Sequence, residues 1–245
     1  MSIYRPVHLL TISSLLSSPL LAGCPGDETP PEKLSLASLT AAQREELVHG
    51  VIGFYPNVLA FITVLLSPTD ECPRVRDSGT TRTITGGCTD KFGALWTGKV
   101  TATNATEERD PSKATTVVAE DFGFREPAPK DDGVQFDGTV TWQGMTRMSQ
   151  HLTTITPSGS VIRTKLDLVR ADSVQRVEPG GTIELVGAGY ADIVAEWNAS
   201  APSGSIELRG LDVFRVDVSG LISDDNGDCA PASLDGTPTE QVCDF

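Results

Sequence analysis

The chain contains 245 residues, of which 39% are hydrophobic, and its formal net charge is −14. Such an acidic chain is repelled by nucleic acid, and no basic patch with interleaved aromatic residues offsets the repulsion, so the composition excludes nucleic-acid binding. The length suits one domain of moderate size or two small ones, with enough hydrophobic residues for a core.

Residues 1–23 have the outline of a secretory signal peptide. Arg5 and the amino terminus precede a mostly apolar, serine-rich run from Val7 to Leu21 that contains no acid. The run is too short and too rich in serine for a membrane-spanning helix. Because residues 1–23 hold one basic residue and no acid, the chain without them has a net charge of −15.

The segment ends in Leu21-Ala22-Gly23-Cys24, which resembles the lipobox of bacterial lipoproteins. The resemblance implies cleavage before Cys24 and acylation of that residue with two or three chains, which hold a protein on a membrane far better than one. Lipoproteins kept in the inner membrane usually carry Asp after the cysteine, so Pro25 implies the outer membrane. One departure is the single positive charge before the apolar run, where two are usual. An ordinary signal peptide cut after Ala22 or Gly23 would leave a free thiol instead.

The rest of the chain divides by composition. Residues 24–38 are rich in proline and charge, which predicts a lipid anchor followed by a flexible tether. Residues 39–245 are expected to form a single β-rich domain. Within it we predict a helical segment at 39–68, a strand meander at 80–220 and a disulfide-closed tail at 221–245.

Two helices are predicted at the start of the domain. Thr40 and Gln43 match a capping box, which marks a helix start. Pro56 should break or kink this helix, and Asn57 should cap a second one that runs to Leu66. The second segment, VLAFITVLL, is apolar on every side, which predicts burial on every face. Its β-branched residues leave a strand as the alternative.

From about Thr80 the hydrophobic period becomes two, which is typical of half-buried antiparallel strands. We therefore predict a mainly β fold with an N-terminal helical segment: a curved antiparallel meander of about eight to ten strands packed on one or two helices. The predicted strands lie near 95–102, 114–122, 134–142, 147–156, 160–170, 182–187, 191–197, 205–210 and 212–219. Four inward glycines, Gly98, Gly138, Gly187 and Gly210, indicate a bend or the close approach of another backbone, and the helix at 51–66 is the candidate.

The four cysteines after Cys24 are expected to form two disulfides in an exported protein. Three pairings are possible. We favour local pairing, Cys72–Cys88 and Cys229–Cys243, because each pair closes one polar loop. A zinc site is disfavoured because no C-x-x-C spacing and no neighbouring histidine are present.

The sequence carries no catalytic signature, so we assign no catalytic residue and expect no enzymatic activity. It lacks a nucleophile elbow, a paired-histidine zinc motif and a phosphate-binding loop. His49 and His151 have no histidine or cysteine near them in sequence and are expected to be surface or structural residues. Acidic pairs such as Glu107-Glu108 are expected to be solvated. Carboxylates that converge with a histidine on a concave face would favour an enzyme.

The stretch SDDNGDCAPASLD predicts a calcium site, the one cofactor that the sequence suggests. Asp224, Asn226 and Asp228 alternate as oxygen donors, and Asp235 stands at the twelfth position of an EF-hand-like loop. Two departures weaken the match: Cys229 occupies the position of the usual glycine, and Asp235 is shorter than the usual glutamate. The alternative is a polar turn closed by a disulfide.

Two functions fit these features. The first is a lipid-anchored cell-envelope protein with a non-enzymatic binding or structural role, held on the membrane through Cys24 and contacting a protein partner or a hydrophobic ligand. The second is a carrier of lipid or another hydrophobic ligand, in a cavity between the curved sheet and the helix at 58–66, with Trp96, Phe136 and Trp142 facing inward. An apolar cavity of roughly several hundred Å³ favours the carrier, and a close-packed interface favours a solid core. The sequence does not determine the oligomeric state.

Overall fold

The computed structural model describes residues 31–66, 71–127, 133–198, 200–224 and 227–243. They form one large antiparallel sheet and two helices near the N-terminus, which confirms a mainly β chain. Helix α1 spans Ala41–Ile52 and helix α2 spans Phe54–Leu65. The strands are β1 Arg74–Ser78, β2 Thr81–Thr85, β3 Cys88–Thr89, β4 Leu95–Thr103, β5 Thr115–Arg125, β6 Gly133–Gln143, β7 Arg147–Ile155, β8 Val161–Ala171, β9 Val174–Val177, β10 Thr182–Leu185, β11 Gly189–Asn198, β12 Ser203–Arg209, β13 Val213–Asp217, β14 Ile222–Asp224, β15 Gly227–Leu234 and β16 Thr237–Val242.

The sheet is a meander in which strands close in sequence lie side by side. Its order is β1-β2-β4-β5-β6-β7-β8-β10-β11-β12-β13-β15-β14, with β3 on β4, β9 on β8 and β11, and β16 on β15. The described residues contain sixteen strands, so the expected eight to ten was too low. The tail accounts for three of the additional strands, β14 to β16. Its Asp, Pro and Ala residues have low strand propensity, so pairing with neighbouring strands, rather than propensity, stabilises the extended conformation there.

Alternation along the strands separates a buried face from an exposed one, as the period of two predicts. In β6, Phe136 and Val140 are buried and Asp137 is exposed. Buried residues of every described strand except β3 and β14 join residues of both helices in one hydrophobic cluster. The core therefore lies between the inward face of the sheet and the helices.

The helix boundaries follow local chemistry, with one correction. The capping box of Thr40 and Gln43 is present at the start of α1. Pro56 does not break the helix, and Asn57 does not cap the next one, because both lie inside α2. The break falls at Gly53, whose φ of 86° is the left-handed conformation that ends helices. Pro56 is tolerated because it lies in the first turn of α2, where N–H groups lack intrahelical partners.

Within the part of the chain that the structure describes, no single helix is long and apolar enough to cross a membrane. Together α1 and α2 meet that test only as a pair bent by 61°.

The last residues of the predicted tether, 33–38, pack on the domain. Leu34 and Leu36 are buried, and Leu34 N–H donates to the carbonyl of Tyr190 at 2.7 Å. The Asp212 carboxylate accepts hydrogen bonds from the N–H groups of Leu36 (2.6 Å) and Ala37 (3.0 Å). Burial of two leucines and these bonds to Asp212 bring the segment into the fold, so the ordered domain begins before residue 39.

Helix α1 approaches the sheet through its own glycine. A Cβ on Gly50 would lie 2.9 Å from Ile183 Cδ1 and 3.1 Å from Thr164 Oγ1. Gln150, which is 1% exposed, donates from Nε2 to the Gly50 carbonyl at 2.8 Å. The helix–sheet interface is therefore close-packed at this point.

Three of the four glycines that we expected on the inward rows meet other backbones, but not the helix that we expected. A Cβ on Gly98 would fall on the carbonyl of Asp121 in a bulge of β5, and one on Gly138 would fall on the carbonyl of His151 in β7. Gly210 faces the carbonyl of Leu34 in the same way. Gly187 lies in the β10–β11 turn with open space around it, so its assignment to a strand was wrong.

The four described cysteines lie at disulfide distance in the local pairs that the sequence predicts. Cys72 pairs with Cys88 across 16 residues, and Cys229 pairs with Cys243 across 14. The first pair ties the segment before β1 to β3. The second joins β15 to the residue that follows β16.

We expect Gly98→Ala to lower the free energy of unfolding by about 3 kcal/mol or more, because the left-handed φ costs about 1–2 kcal/mol and the clash with Asp121 adds about 1–3. Gly79→Ala is the matched control. Its φ of 54° is also left-handed but a Cβ there meets nothing within 4 Å, so the loss should be only about 1–2 kcal/mol. Urea denaturation measures both, and equal losses would contradict the close approach at Gly98.

Peptide mapping without reduction should recover Cys72 linked to Cys88 and Cys229 linked to Cys243. Replacing both cysteines of either pair by Ala should lower the free energy of unfolding by about 3 kcal/mol, because each bridge closes a loop of about 15 residues. Peptides that join one pair to the other would show that the pairing is wrong.

Candidate functional site

The residues singled out by sequence fall into separate places. Cys24 lies outside the described residues. His151 is exposed on β7. Glu120 and Asp121 lie within β5, and Lys99 Nζ donates to Glu120 at 3.1 Å.

The predicted calcium ligands do not form one loop. Asp224 ends β14 and Asp228 lies near the start of β15, so they flank a tight hairpin, and Asn226 lies outside the described residues. Asp235 follows the other end of β15, about 20 Å away along an extended strand. Its carboxylate accepts from Val213 N–H at 2.9 Å. No group of three or more His, Cys, Asp or Glu residues within the described ranges is placed to hold a metal ion.

A cluster of ionisable groups on and beside α1 holds the C-terminal segment. His49 Nε2 lies 3.0 Å from the carbonyl of Cys243, and Glu45 accepts from the N–H of the same residue at 3.1 Å. Burial, with the charges of Glu46 and Glu45, raises the pKa of Tyr55 well above its ordinary value. Tyr55 is therefore neutral here, and the contacts of His49 and Glu45 with Cys243 hold the C-terminal segment against α1.

Helix α2 is half exposed, contrary to the burial on every face that its sequence predicts. Its inner side buries Tyr55, Pro56, Leu59 and Thr63. Its outer side exposes four large apolar side chains: Phe54 (39%), Phe61 (63%), Val64 (69%) and Leu65 (61%). An exposed apolar patch of this kind on a folded domain marks an interaction site.

Two clefts lie beside α2 at one end of the sheet. The larger, which we call the α2 cleft, has a volume of about 400 Å³ and lies between α2 and the connections that follow β4 and β6. The smaller has about 210 Å³ and adjoins the bend between the helices at Gly53. Trp142, Gly144 and Met145 line both clefts. A third cleft of about 320 Å³, beside Leu95 and Ile155, lies at the opposite end of the sheet.

Antiparallel pairing brings the cleft walls together. Thr103 of β4 pairs with Thr116 of β5, Thr115 pairs with Trp142 of β6, and the β6–β7 turn follows immediately. The β4–β5 and β6–β7 connections therefore emerge at the same end of the sheet, although they are far apart in sequence.

Asn104 shapes the β4–β5 connection into a fixed wall. Its φ is 55°, it is 7% exposed, and its Nδ2 donates to the carbonyls of Asp110 (2.8 Å) and Lys113 (2.9 Å). Its Oδ1 accepts from Asp110 N–H at 2.6 Å. Thr106 adds a hydrogen bond from Oγ1 to the carbonyl of Gly79 at 2.8 Å. The wall is thus held by buried polar contacts, which fix its shape.

Arg82 holds the other wall. Its guanidinium makes a two-point ion pair with Asp77, with both N–O distances 2.8 Å, and reaches the carbonyls of Thr63 (3.1 Å), Val64 and Leu66 at the end of α2. A cation at a helix C-terminus satisfies carbonyls that lack partners and complements the helix dipole. The hydrogen bond from Arg82 also lowers the pKa of the Asp77 carboxyl.

The clefts are cationic, although the chain as a whole is acidic. Arg109 and Lys113 line the α2 cleft, Arg147 and Arg170 line the smaller one, and the described lining of neither contains an acid. Lys113 pairs with Asp110 at 3.5 Å, and Arg147 pairs with Asp167 at 3.4 Å. Within the described ranges, no ion pair reaches the side chain of Arg109 or Arg170. Sequence reasoning missed this site because the four cations come from separate parts of the sequence: the β4–β5 connection, the first residue of β7 and the end of β8.

Comparison with known proteins gives no further assignment. No protein-family model matches the sequence, and no curated protein or solved structure matches it. The exposed face of α2 and the two clefts beside it are the candidate site.

We expect Arg82→Met to lower the free energy of unfolding by about 1–2 kcal/mol, because the last carbonyls of α2 lose their donor and Asp77 loses its partner. Amide hydrogen exchange in the last turn of α2 should become faster, and exchange in α1 should change little. Arg82→Lys keeps the charge without the two-point geometry, so its free energy of unfolding should lie between those of the wild-type protein and Arg82→Met.

The pH dependence of stability distinguishes loss of the Arg82–Asp77 ion pair from loss of packing. Because the folded-state pKa of Asp77 is lowered, its ion pair stabilises the fold above the ordinary carboxyl pKa of 3.8 and is lost as the pH falls through the lowered value. The stability difference between the wild-type protein and Asp77→Asn should therefore narrow on acidification. A difference that stays constant down to pH 2 would contradict the role of the pair.

Proposed function

We propose that this chain is a lipid-anchored, non-enzymatic binding protein of the bacterial cell envelope, and that the exposed face of α2 with its clefts is the binding surface. The observation that carries the proposal is the apolar, half-exposed helix beside a preformed cleft. Burial of Phe61, Val64 and Leu65 by a ligand or partner would be favourable, at about 25 cal/mol per Å² of apolar surface removed from water.

We also infer that the sheet curls around the helices, which makes it a stiff scaffold for this surface. The support comes from the reach of α1. Gly50 contacts Thr164 of β8, and Arg44 pairs with Glu240 of β16, six strands further along the sheet. On a flat sheet those strands would be roughly 29 Å apart, whereas α1, with 12 residues, is about 18 Å long.

The carrier function is the second candidate, and the clefts favour a different place for its ligand. The contact of α1 with the sheet at Gly50 is close-packed, so that interface offers no space for a ligand. The α2 cleft has the volume of a small-molecule site, which is commonly about 300–1,000 Å³. A hydrophobic ligand would therefore lie at the end of the sheet, beside α2.

The anchor is proposed from the lipobox resemblance at Leu21 to Cys24, with export to the outer membrane proposed from Pro25. Lys33 and Leu34 enter the fold beside Tyr190, at the sheet end opposite the clefts, so this segment does not line the binding surface.

We expect Cys24→Ala to move the protein from the membrane fraction to the soluble fraction, because the acylated sulfur is lost. Cys24→Ser is a matched control that differs from the natural residue by one atom and should behave in the same way. Mass spectrometry of the purified wild-type protein should show an acylated N-terminal cysteine. Unchanged partitioning of both variants, with an unmodified Cys24, would contradict the anchor.

A further inference from the structure

We propose that the α2 cleft binds a single-chain anionic amphiphile as a monomer, with the acyl chain against α2 and Trp142 and the head group at Arg109 and Lys113. This inference rests on the proposed binding function of the α2 surface and names its ligand class.

The apolar part of the cleft fits one hydrocarbon chain. Its floor and walls include six apolar residues: Ala60, Val64, Ala105, Val117, Trp142 and Met145. A volume of about 400 Å³ lies near the lower limit for ligand sites, which suits one chain and is small for a two-chain lipid. Met145 is 81% exposed, and the flexible methionine side chain can adapt its position to a bound chain.

The charges select an anion. Arg109 and Lys113 stand on the wall that Asn104 holds, and the described lining of the cleft offers no carboxylate to compete for them. Arg109 has no ion-pair partner within the described ranges. The pair between Lys113 and Asp110 is exposed, so it contributes little and can be exchanged for a head group. A carboxylate or phosphate accepts charge-assisted hydrogen bonds from both cations.

The other acids of this connection do not cancel the two cations. Oδ1 of Asp110 accepts hydrogen bonds from the backbone and side chain of Ser112, at 3.0 and 2.6 Å, and only Oδ2 lies near Lys113, at 3.5 Å. Glu107 and Glu108 do not line the cleft. Salt at physiological strength screens charges more than about 8 Å apart, so the nearest cations decide which head group is held.

Geometry favours a monomer over a membrane surface or a protein partner. The amphiphile enters a concave site whose two walls are held in place by Asn104 and Arg82. A membrane or a protein would instead cover the convex crest of α2, formed by Phe54, Phe61 and Leu65. Binding to a membrane is an outcome of the test.

The test measures quenching of tryptophan fluorescence by hexadecanoate brominated near the middle of its chain. It uses the Cys24→Ala protein, which keeps every other residue of the chain. We expect saturable quenching that Trp142→Phe removes, because Trp142 lines the cleft, whereas Trp197 is buried at 2% exposure and Trp96 lies at the other end of β4. Brominated hexadecanol, with the same chain and no charge, should bind at least about tenfold more weakly.

Matched variants locate the head group. Replacing Arg109 and Lys113 together by Gln should weaken hexadecanoate binding at least about tenfold and leave hexadecanol binding unchanged. Arg163→Gln removes an exposed cation that pairs with Glu184 on another part of the sheet, and should have no effect. Because all three side chains are exposed, circular dichroism should show folded proteins.

Three results would overturn the proposal: no saturable quenching, equal binding of the acid and the alcohol, or equal effects of the cleft and Arg163 variants. A vesicle arm separates this failure from failure of the proposed function. In this arm the protein is sedimented with vesicles of phosphatidylglycerol and phosphatidylcholine. If the protein sediments with the vesicles, Phe61→Ser abolishes this binding and brominated hexadecanoate gives no quenching, the proposed ligand is wrong but the α2 face remains the binding surface. Absence of both would overturn both, and the Cys24 fractionation reports on the anchor independently.

Discussion

The close approach of α1 to the sheet is the contact on which the rest of the fold depends. Gly50 allows the approach because any side chain there would push against Ile183 and Thr164. The Gly50 carbonyl belongs to the last turn of α1, where carbonyls lack intrahelical partners, and the buried Gln150 supplies the missing donor. A helix held further out would leave the inward rows of the sheet in contact with water.

The position of α1 determines what is left for α2. Since α1 lies on the inward face, α2 turns by 61° at Gly53 and lies across the strand ends. There the sheet covers only one side of the helix, so Leu59 is buried and Phe61 is exposed. The apolar surface that remains is a consequence of the topology, and it becomes useful because the strand connections build a cleft beside it.

Local charge and overall charge have opposite signs at this surface. The net charge of −14 opposes nucleic acid and anionic bilayers, because both present many charges over a large area. A single anionic head group interacts mainly with the nearest side chains, and the charged residues that line the cleft are Arg109 and Lys113. An acidic chain can therefore hold an anionic ligand and still remain repelled by an anionic surface.

The sequence by itself determined the features that depend on a few neighbouring residues. The capping box of Thr40 and Gln43, the alternation of β6 and the local cysteine pairs each need only the residue types within one turn, strand or loop. Tertiary structure decided the site. VLAFITVLL is apolar on every side, so its pattern does not show which face of α2 the sheet leaves exposed. Arg109, in the β4–β5 connection, and Arg170, near the end of β8, are 61 residues apart in sequence, and they lie at the same end of the sheet only because antiparallel strands return there. Burial and electrostatic contact depend on distance in space, and the pairing of the strands sets that distance.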